Sequence, residues 1–288
     1  MTSNVLDQAT RLYVFVDDFL KAHPELAHWR RSNNDDPAFT DAEVLAVGLM
    51  QGSLGVATLR KTHAMIRDNI GPAFPCLPGY KQWVRRLHAL AFIAGRLVEA
   101  AFTLVALSSV RLYLLDAKPV PVCKPIRHGR VRLMREDGAY FGKTSAGWFG
   151  EVLRRFGFKL HVIAHVSGAV LAAALTPGNW GDRPIAPALG AQTAGGVALG
   201  DAGYSGAAFF ERMLDQSGVA VVTPRDAAWG SDEQRTLSGV RERVETTLRQ
   251  LWDRFCDRVY ARSWEGLWSV SLLKLVHLNL CYAGIASI

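Results

Sequence analysis

The sequence predicts an α/β protein in which an all-helical N-terminal domain precedes a mixed sheet flanked by helices. Up to about residue 108 apolar residues recur at helical spacing, whereas from Val110 short apolar strands alternate with turn residues. Two of these strands lead into an aspartate, at Asp116 and at Asp201. With 288 residues, 49% of them apolar and 20% charged, the chain can bury a sizeable core and is not a disordered protein. The predicted domains are therefore residues 1–108 and 109–288.

The charge distribution indicates an anionic partner. The net charge is +7 and the isoelectric point is near 9.4, values that suit nucleic acid binding but also simple solubility. From Lys124 to Lys159 nine basic residues face three acidic ones, which gives this stretch a net charge of +6. The sequence thus predicts that residues 124–157 form a basic insertion in the second domain.

Cysteine usage and hydropathy predict a cytoplasmic chain. The four cysteines have neither CxxC nor zinc-site spacing, so reduced thiols are expected. The N terminus lacks the basic and then apolar layout of a signal peptide. The most apolar segment, Leu267 to Ile285, contains Lys274, His277 and Asn279 and is interpreted as a buried helix, with no membrane partner.

The N-terminal domain is expected to contain a helix-turn-helix motif within residues 40–69. Thr40 and Glu43 have the spacing of a capping box, and the helix that they start ends at a glycine-containing turn, residues 51–55. The next helix carries Arg60 and Lys61, which are candidate DNA contacts. Ordinary helical hairpins show the same pattern, so this interpretation stays open. A long helix is expected from about Tyr80 to Ser108.

The second domain is expected to contain five strands. Asp116 ends the first strand, because Pro119 and Pro121 force an extended exit and forbid a helix. The remaining elements follow in order: a hairpin of strands 158–166 and 169–176, a helix that starts at or near Asp182, a strand up to Asp201, a helix 205–216, a strand 219–223, a helix 233–256 and an apolar C-terminal helix that closes the core.

A third acid, Glu245, is expected to lean toward the sheet from the helix 233–256. At about 100° per residue it lies at the border of the buried stripe, whereas Glu242 and Asp253 lie on the opposite side. The stripe itself is formed by Val240, Val244, Leu248, Leu251 and Phe255. Three converging carboxylates without a Cys or His cluster suit Mg²⁺ or Mn²⁺ better than zinc.

These segments resemble the DDE transposases of prokaryotic insertion sequences. The similarity lies in Leu114-Leu115-Asp116 followed by prolines, in Gly157 to His161, in Gly200-Asp201-Ala202-Gly203-Tyr204, and in Arg241-x-Arg243-x-Glu245. The resemblance implies an RNase H-like catalytic core with a mixed five-stranded sheet. Ser238 and Trp252 stand where related transposases often carry Tyr and Lys, so those contacts are not carried over.

The resemblance also implies the chemistry. Two Mg²⁺ ions would be held by Asp116, Asp201 and Glu245, and would support strand cleavage at transposon ends and transfer of the 3′-OH to target DNA. The partner would be double-stranded DNA, bound by a homodimer or a higher assembly. No organic cofactor is expected. The predicted phosphate contacts are Lys159, Arg225, Arg241, Arg127, Arg130 and Arg132. Tyr204, Trp148 and Trp180 are predicted to stack on unpaired bases, with packing in the protein an equal alternative for Trp148 and Trp180.

Two alternative functions and two local interpretations accompany this one. The chain is alternatively a non-catalytic DNA-binding protein derived from a transposase. A serine hydrolase is suggested by Gly203-Tyr204-Ser205-Gly206-Ala207, which resembles a nucleophile elbow with His277 as the downstream histidine. Two local interpretations also stand: Arg241 and Arg249 pair with Glu245 on a helix surface, and Asp182 caps a helix.

Overall fold

The computed structural model describes residues 2–29, 37–105, 110–123, 129–130, 132, 134–145, 152–223, 239 and 260–287. The chain divides into two compact units: a helical unit of Met1–Val105 with Val259–Ile288, and an α/β unit of Ala106–Arg258. The described helices are α1 Thr2–Ala22, α2 Asp41–Ser53, α3 Leu59–Ile70, α4 Tyr80–Ala89, α5 Ala91–Thr103, α6 Ala186–Gly190, α7 Ala207–Ser217 and α8 Trp264–Tyr282. The described strands are β1 Leu112–Cys123, β2 Tyr140–Ser145, β3 Val152–His165, β4 Val170–Pro177, β5 Gly196–Leu199 and β6 Val219–Val222.

The helix start predicted at Thr40 is confirmed. The Thr40 hydroxyl accepts a hydrogen bond from the Glu43 N–H at 3.2 Å, and the Thr40 N–H donates to Glu43 Oε2 at 2.6 Å. This reciprocal capping box satisfies two amide groups that the first turn of α2 leaves without helical partners. Thr58 caps α3 in a similar way by accepting from the Lys61 N–H. Within the described residues 2–29 and 37–105 the N-terminal part is helical, as expected.

The single long helix expected from Tyr80 to Ser108 is wrong. The chain turns at Leu90, whose backbone closes α4 and opens α5. Leu90 is itself fully buried. The turn allows both helices to bury an apolar face, which includes Trp83 on α4 and Leu97 on α5. Tertiary packing here overrides a helical pattern that continues through the break.

The C-terminal helix belongs to the helical unit and not, as expected, to the core around the sheet. α8 packs on α5 and α2, and it is buried along most of its length. Its polar side chains are hydrogen-bonded inside this unit: Asn279 Nδ2 donates to Val98 O at 3.1 Å, and Ser269 Oγ donates to Leu87 O at 3.3 Å. The predicted boundary of 109–288 for the second domain is therefore wrong for residues 259–288.

No helix in the described part of the chain is long and apolar enough to span a bilayer.

The sheet has the RNase H-like arrangement that the sequence predicts. β1 runs antiparallel to β3 and parallel to β5, and β5 runs parallel to β6, so that β1 lies in the middle of the sheet. β4 and β2 both pair with β3. Helices α6 and α7 pack in a core with Tyr113, Ile163 and Ala198.

The described sheet contains six strands instead of five. The additional strand, β2, lies inside the basic insertion, and β3 starts at Val152 and not at Phe158. β3 changes its neighbour from β2 to β4 at Gly157, whose φ of 157° and close approach to the Val120 carbonyl leave no room for a Cβ. Gly157 therefore lies where β3 changes from β2 to β4 on one edge while it pairs with β1 on the other.

Candidate active site

Asp116 and Asp201 occupy equivalent positions relative to the parallel pairing of β1 with β5. The pairing of β1 with β5 ends at Leu114 opposite Leu199, and each aspartate follows two residues later. The expectation that Asp116 ends its strand is wrong, because β1 continues to Cys123 by pairing with β3. Both acids nevertheless follow the last paired residues of β1 and β5, at the carboxyl end where α/β sheets bind their ligands.

The turn after β5 orients the Asp201 carboxylate. Asp201 Oδ1 accepts a hydrogen bond from the Gly203 N–H at 2.7 Å and caps a short 3-10 helix, Ala202–Tyr204. The φ of Gly203 lies outside the left-handed region, so its backbone angle does not require glycine. Glycine is needed here for space, since a Cβ would lie 2.9 Å from Asp201 Oδ1. The Asp201 residue remains exposed.

The Asp116 carboxylate lies between a backbone amide and a cation. Its Oδ1 accepts from the Ala117 N–H at 2.8 Å, and Lys118 Nζ lies 3.5 Å from its Oδ2. The Asp116 side chain is 22% exposed and that of Lys118 is 41% exposed. A metal cation that binds this carboxylate would therefore have to displace the Lys118 ammonium.

Three acids lie close enough to Tyr204 to raise the pKa of its phenol. Burial raises the Tyr204 pKa well above its ordinary value, and the negative charges of Asp182, Asp116 and Asp201 raise it further. The Tyr204 ring is 3% exposed and packs 6.1 Å from the Phe209 ring, between centroids. The prediction that Tyr204 stacks on an unpaired base is therefore wrong, because its ring faces lie in the protein core.

Asp182 joins this acid group instead of capping a helix. α6 begins only at Ala186, and Asp182 Oδ1 accepts from Lys159 Nζ at 2.9 Å. Lys159 Nζ also donates to the Trp180 carbonyl at 3.0 Å, so the predicted phosphate contact of Lys159 competes with two protein acceptors. The sequence did not predict the pairing of Lys159 with Asp182. The two-residue spacing of Lys159 and His161 on one strand indicates only that these two side chains lie on the same face.

His161 lies beside the Lys159–Asp182 pair as a neutral ring. Burial lowers its pKa to about 4, with the charge of Asp182 opposing this shift and that of Lys159 adding to it. His161 Nε2 shares a 2.7 Å hydrogen bond with Thr176 Oγ1, and Nδ1 lies 3.7 Å from Asp182 Oδ1. At neutral pH the ring therefore adds no charge to the acid group.

Several predicted residues lie outside the described part of the chain: Glu245, Arg225, Arg241, Arg127 and Trp148. Among those described, Arg130 and Arg132 are exposed in the insertion, and Trp180 is 49% exposed. Their predicted DNA contacts remain predictions.

In the helical unit the two predicted DNA contacts are accessible. Arg60 and Lys61 are both exposed on the first turn of α3. The Arg60 guanidinium lies over the Tyr80 ring, 4.6 Å from its centroid, which restricts its orientation. The role of both residues in DNA binding remains a prediction.

The two residues that the serine hydrolase interpretation requires, Ser205 and His277, each have another hydrogen-bond partner. Ser205 Oγ is hydrogen-bonded to Thr223 Oγ1 at 2.8 Å. His277 belongs to the helical unit, where its Nε2 bonds to Ser53 Oγ at 3.0 Å and its Nδ1 faces Cys281 Sγ at 3.6 Å. Both ring nitrogens are thus engaged in a different unit from the proposed nucleophile.

Within the described residues, no group of three or more His, Cys, Asp and Glu side chains could hold a metal ion. The donors that are described, Asp116 and Asp201, are carboxylates, which are hard oxygen ligands of the kind that Mg²⁺ prefers. Asp116 already faces one cation, because Lys118 Nζ lies 3.5 Å from its Oδ2.

An RNase H-like sheet with acids two residues beyond the last pair of two parallel strands is typical of the nuclease and transposase class. A family model described as the transposase DDE domain matches residues 108–255, which is about half of the chain. The chain therefore belongs to the DDE transposase family, and this membership implies DNA as its partner. No match was found among the curated proteins or among the solved structures.

Proposed function

We propose that this protein is a metal-dependent DNA transposase that cuts a strand at each element end and joins the freed 3′-OH to target DNA. The observation that carries this proposal is the matched position of Asp116 and Asp201, each two residues beyond the last pair of the parallel strands β1 and β5. Glu245 would complete the acid triad from the helix that the sequence predicts around it.

Asp116, Asp201 and Glu245 would hold two Mg²⁺ or Mn²⁺ ions. When bound, such ions activate a water molecule and neutralise the charge that develops on the phosphate and on the leaving oxygen. Asp116 and Asp201 each have one oxygen held by a backbone N–H, of Ala117 and of Gly203. Each carboxylate is therefore oriented before a ligand arrives, as a metal-dependent site requires.

Two reactions on phosphorus would follow in sequence at this site. In the first, the oxygen of water forms a bond to the phosphorus, the bond from phosphorus to the 3′ oxygen breaks, and the departing oxygen takes up a proton. In the second, the resulting 3′-OH gives up its proton and its oxygen forms a bond in line to a phosphorus of the target, while the bond from that phosphorus to its own 3′ oxygen breaks and the departing oxygen takes up a proton. No covalent bond to the protein is formed in either step.

The basic residues would bind the DNA backbone. In the α/β unit these are the exposed Arg130 and Arg132 together with Arg127, Arg225 and Arg241, while Lys159 retains its bond to Asp182. In the helical unit Arg60 and Lys61 would contact the element end. Because such contacts release counterions, DNA affinity should fall steeply with salt concentration. Holding two element ends would require a dimer or a higher assembly, working on DNA in the cytoplasm.

The decisive experiment compares strand cleavage by wild type, Asp116→Asn and Asp201→Asn on DNA that carries the element end, with Mg²⁺ present. Each substitution keeps the size of the side chain but removes the charge that a cation needs. We expect cleavage to fall by more than about 100-fold, since losing even an outer partner of a metal ligand costs 10- to 100-fold. DNA affinity, measured by fluorescence anisotropy, should change little.

Asp215→Asn provides the matched control, because Asp215 is an exposed acid on α7 of the same unit. It should cleave like wild type. If wild type binds the element end but neither it nor any variant cleaves the DNA, the non-catalytic DNA-binding protein is the correct interpretation. Cleavage that survives in both aspartate variants would show that these acids do not form the site.

A further inference from the structure

The turn formed by residues 177–183 is fastened to the α/β unit on two sides. On one side Lys159 Nζ donates to Asp182 Oδ1 at 2.9 Å and to the Trp180 carbonyl at 3.0 Å. On the other side Arg183 Nη1 donates to the Ser205 carbonyl at 3.0 Å. The turn therefore links strand β3 to the loop that follows β5.

The Lys159–Asp182 pair is partly withdrawn from water. Their side chains are 15% and 28% exposed, and His161 beside them is buried. Removing two charges from water offsets much of their mutual attraction, so such a pair contributes little to net stability even though it fixes a geometry. Because Lys159 donates to two acceptors in the turn, it fixes the position of the turn relative to β3.

The loop held by this turn is the one that carries Asp201. Ser205, whose carbonyl accepts from Arg183, follows Asp201 by four residues. Between them lies Tyr204, and the charges of Asp182, Asp116 and Asp201 all act on its phenol. The fastened turn and the two strand-borne acids therefore lie in one electrostatic neighbourhood.

We propose that Lys159 and Asp182 form a positioning pair that, through the turn 177–183 and Arg183, holds the Asp201 loop so that its carboxylate faces Asp116. Neither residue touches a reacting atom in this role. The inference rests on the proposed function, because it assigns the pair to the alignment of the two acids that would bind a cation.

Substitution of the two residues separates this role from a purely electrostatic one. Lys159→Met removes a positive charge near the acids, which by field alone would strengthen cation binding, whereas Asp182→Asn removes a negative charge and would weaken it. Loss of positioning weakens cation binding in both variants. The sign of the change for Lys159→Met therefore distinguishes the two explanations.

The experiment measures Mn²⁺ binding to the full chain by electron paramagnetic resonance, together with the Mg²⁺ concentration that gives half-maximal cleavage. We expect both single variants to weaken Mn²⁺ binding and to raise the Mg²⁺ midpoint by about 10-fold, as for other residues that orient metal ligands. The double variant should be no weaker than the worse single variant, since the two side chains act as one unit.

Two further variants protect this result from effects on folding. Val219→Ala truncates a buried side chain of β6 in the same core and lowers stability without touching the pair, so its Mn²⁺ affinity should match wild type. Arg183→Met, at an exposed residue, removes the second fastening and should weaken Mn²⁺ binding as the pair does.

The outcomes are distinct. Three outcomes would each overturn the positioning role while leaving the proposed function in place. They are tighter Mn²⁺ binding by Lys159→Met, wild-type Mn²⁺ affinity in Lys159→Met, Asp182→Asn and Arg183→Met alike, and weakening by Val219→Ala equal to that of these variants. Failure of the wild type to bind Mn²⁺ at all would instead reject the proposed function, and the positioning role with it.

Discussion

At the scale of single residues, Lys118 competes directly with a metal cation for the Asp116 carboxylate. Its ammonium lies 3.5 Å from Asp116 Oδ2 and it is 41% exposed, so it can move away when another cation arrives. An exposed pair of this kind contributes little to stability. The Lys118 ammonium should instead raise the Mg²⁺ concentration that the site requires.

Lys118→Met should therefore lower the Mg²⁺ concentration that gives half-maximal cleavage, by several-fold, because the cation no longer displaces an ammonium from the carboxylate. A Mg²⁺ titration of the cleavage rate at constant ionic strength provides the measurement. Arg212→Met, at an exposed residue of α7, removes the same charge from the unit and serves as the control with an unchanged midpoint. An unchanged or higher midpoint in Lys118→Met would contradict the competition.

The sequence predicted where Asp116 and Asp201 lie relative to two strands, whereas its local pattern suggested the wrong role for Asp182. The first two follow apolar strands, a local pattern that requires no knowledge of the fold. Asp182 follows a turn, where capping is the usual local explanation, and its actual partner lies 23 residues earlier in the chain. Such a contact depends on how β3 and the turn 177–183 meet, which no local pattern specifies.

At the scale of elements, Gly157 decides how the basic insertion joins the sheet. The sequence did not predict β2, because its residues lie in a stretch dominated by charge and glycine instead of apolar alternation. In the structure β3 pairs with β2 before Gly157 and with β4 after it. On its other edge β3 pairs with β1, and this pairing places the Gly157 backbone against the Val120 carbonyl.

Gly157→Ala should destabilise the α/β unit by at least about 2 kcal/mol, because the Cβ meets backbone atoms and the residue has a φ that other residues rarely adopt. Urea-induced unfolding gives the free energy of unfolding for comparison with wild type. Gly129→Ala is the matched control, since a Cβ at this insertion glycine meets nothing within 4 Å. Equal free energies of unfolding for the two variants would show that the partner exchange tolerates a side chain.

At the scale of the whole molecule, the two ends of the chain meet in one helical unit. The apolar residues of α8 are spread around the helix, and this pattern predicts burial without specifying against which elements. The sequence could therefore predict that α8 is buried and not that its neighbours are α2 and α5. The DDE family match ends at residue 255, before this helix begins, which agrees with the division into units.

His277 makes the stability of the helical unit sensitive to acid. It is fully buried on α8, and burial lowers its pKa from 6.5 to about 4. In the unfolded chain the ring takes up a proton near pH 6.5, whereas in the folded protein it stays neutral until about pH 4. The unfolded state thus binds more protons across this window, so stability is complete above pH 6.5 and falls as the pH decreases toward 4.

Between pH 7 and about pH 4.5 this residue alone should lower the free energy of unfolding of the helical unit by about 2 kcal/mol. His277→Gln removes the titrating ring, so the variant should lose about 2 kcal/mol less than wild type over the same interval. Its stability at pH 7 is expected to be lower, because the side chain no longer fills the space beside Gly52. Urea unfolding at both pH values tests the difference, and an identical loss in wild type and variant would show that His277 does not cause the acid sensitivity.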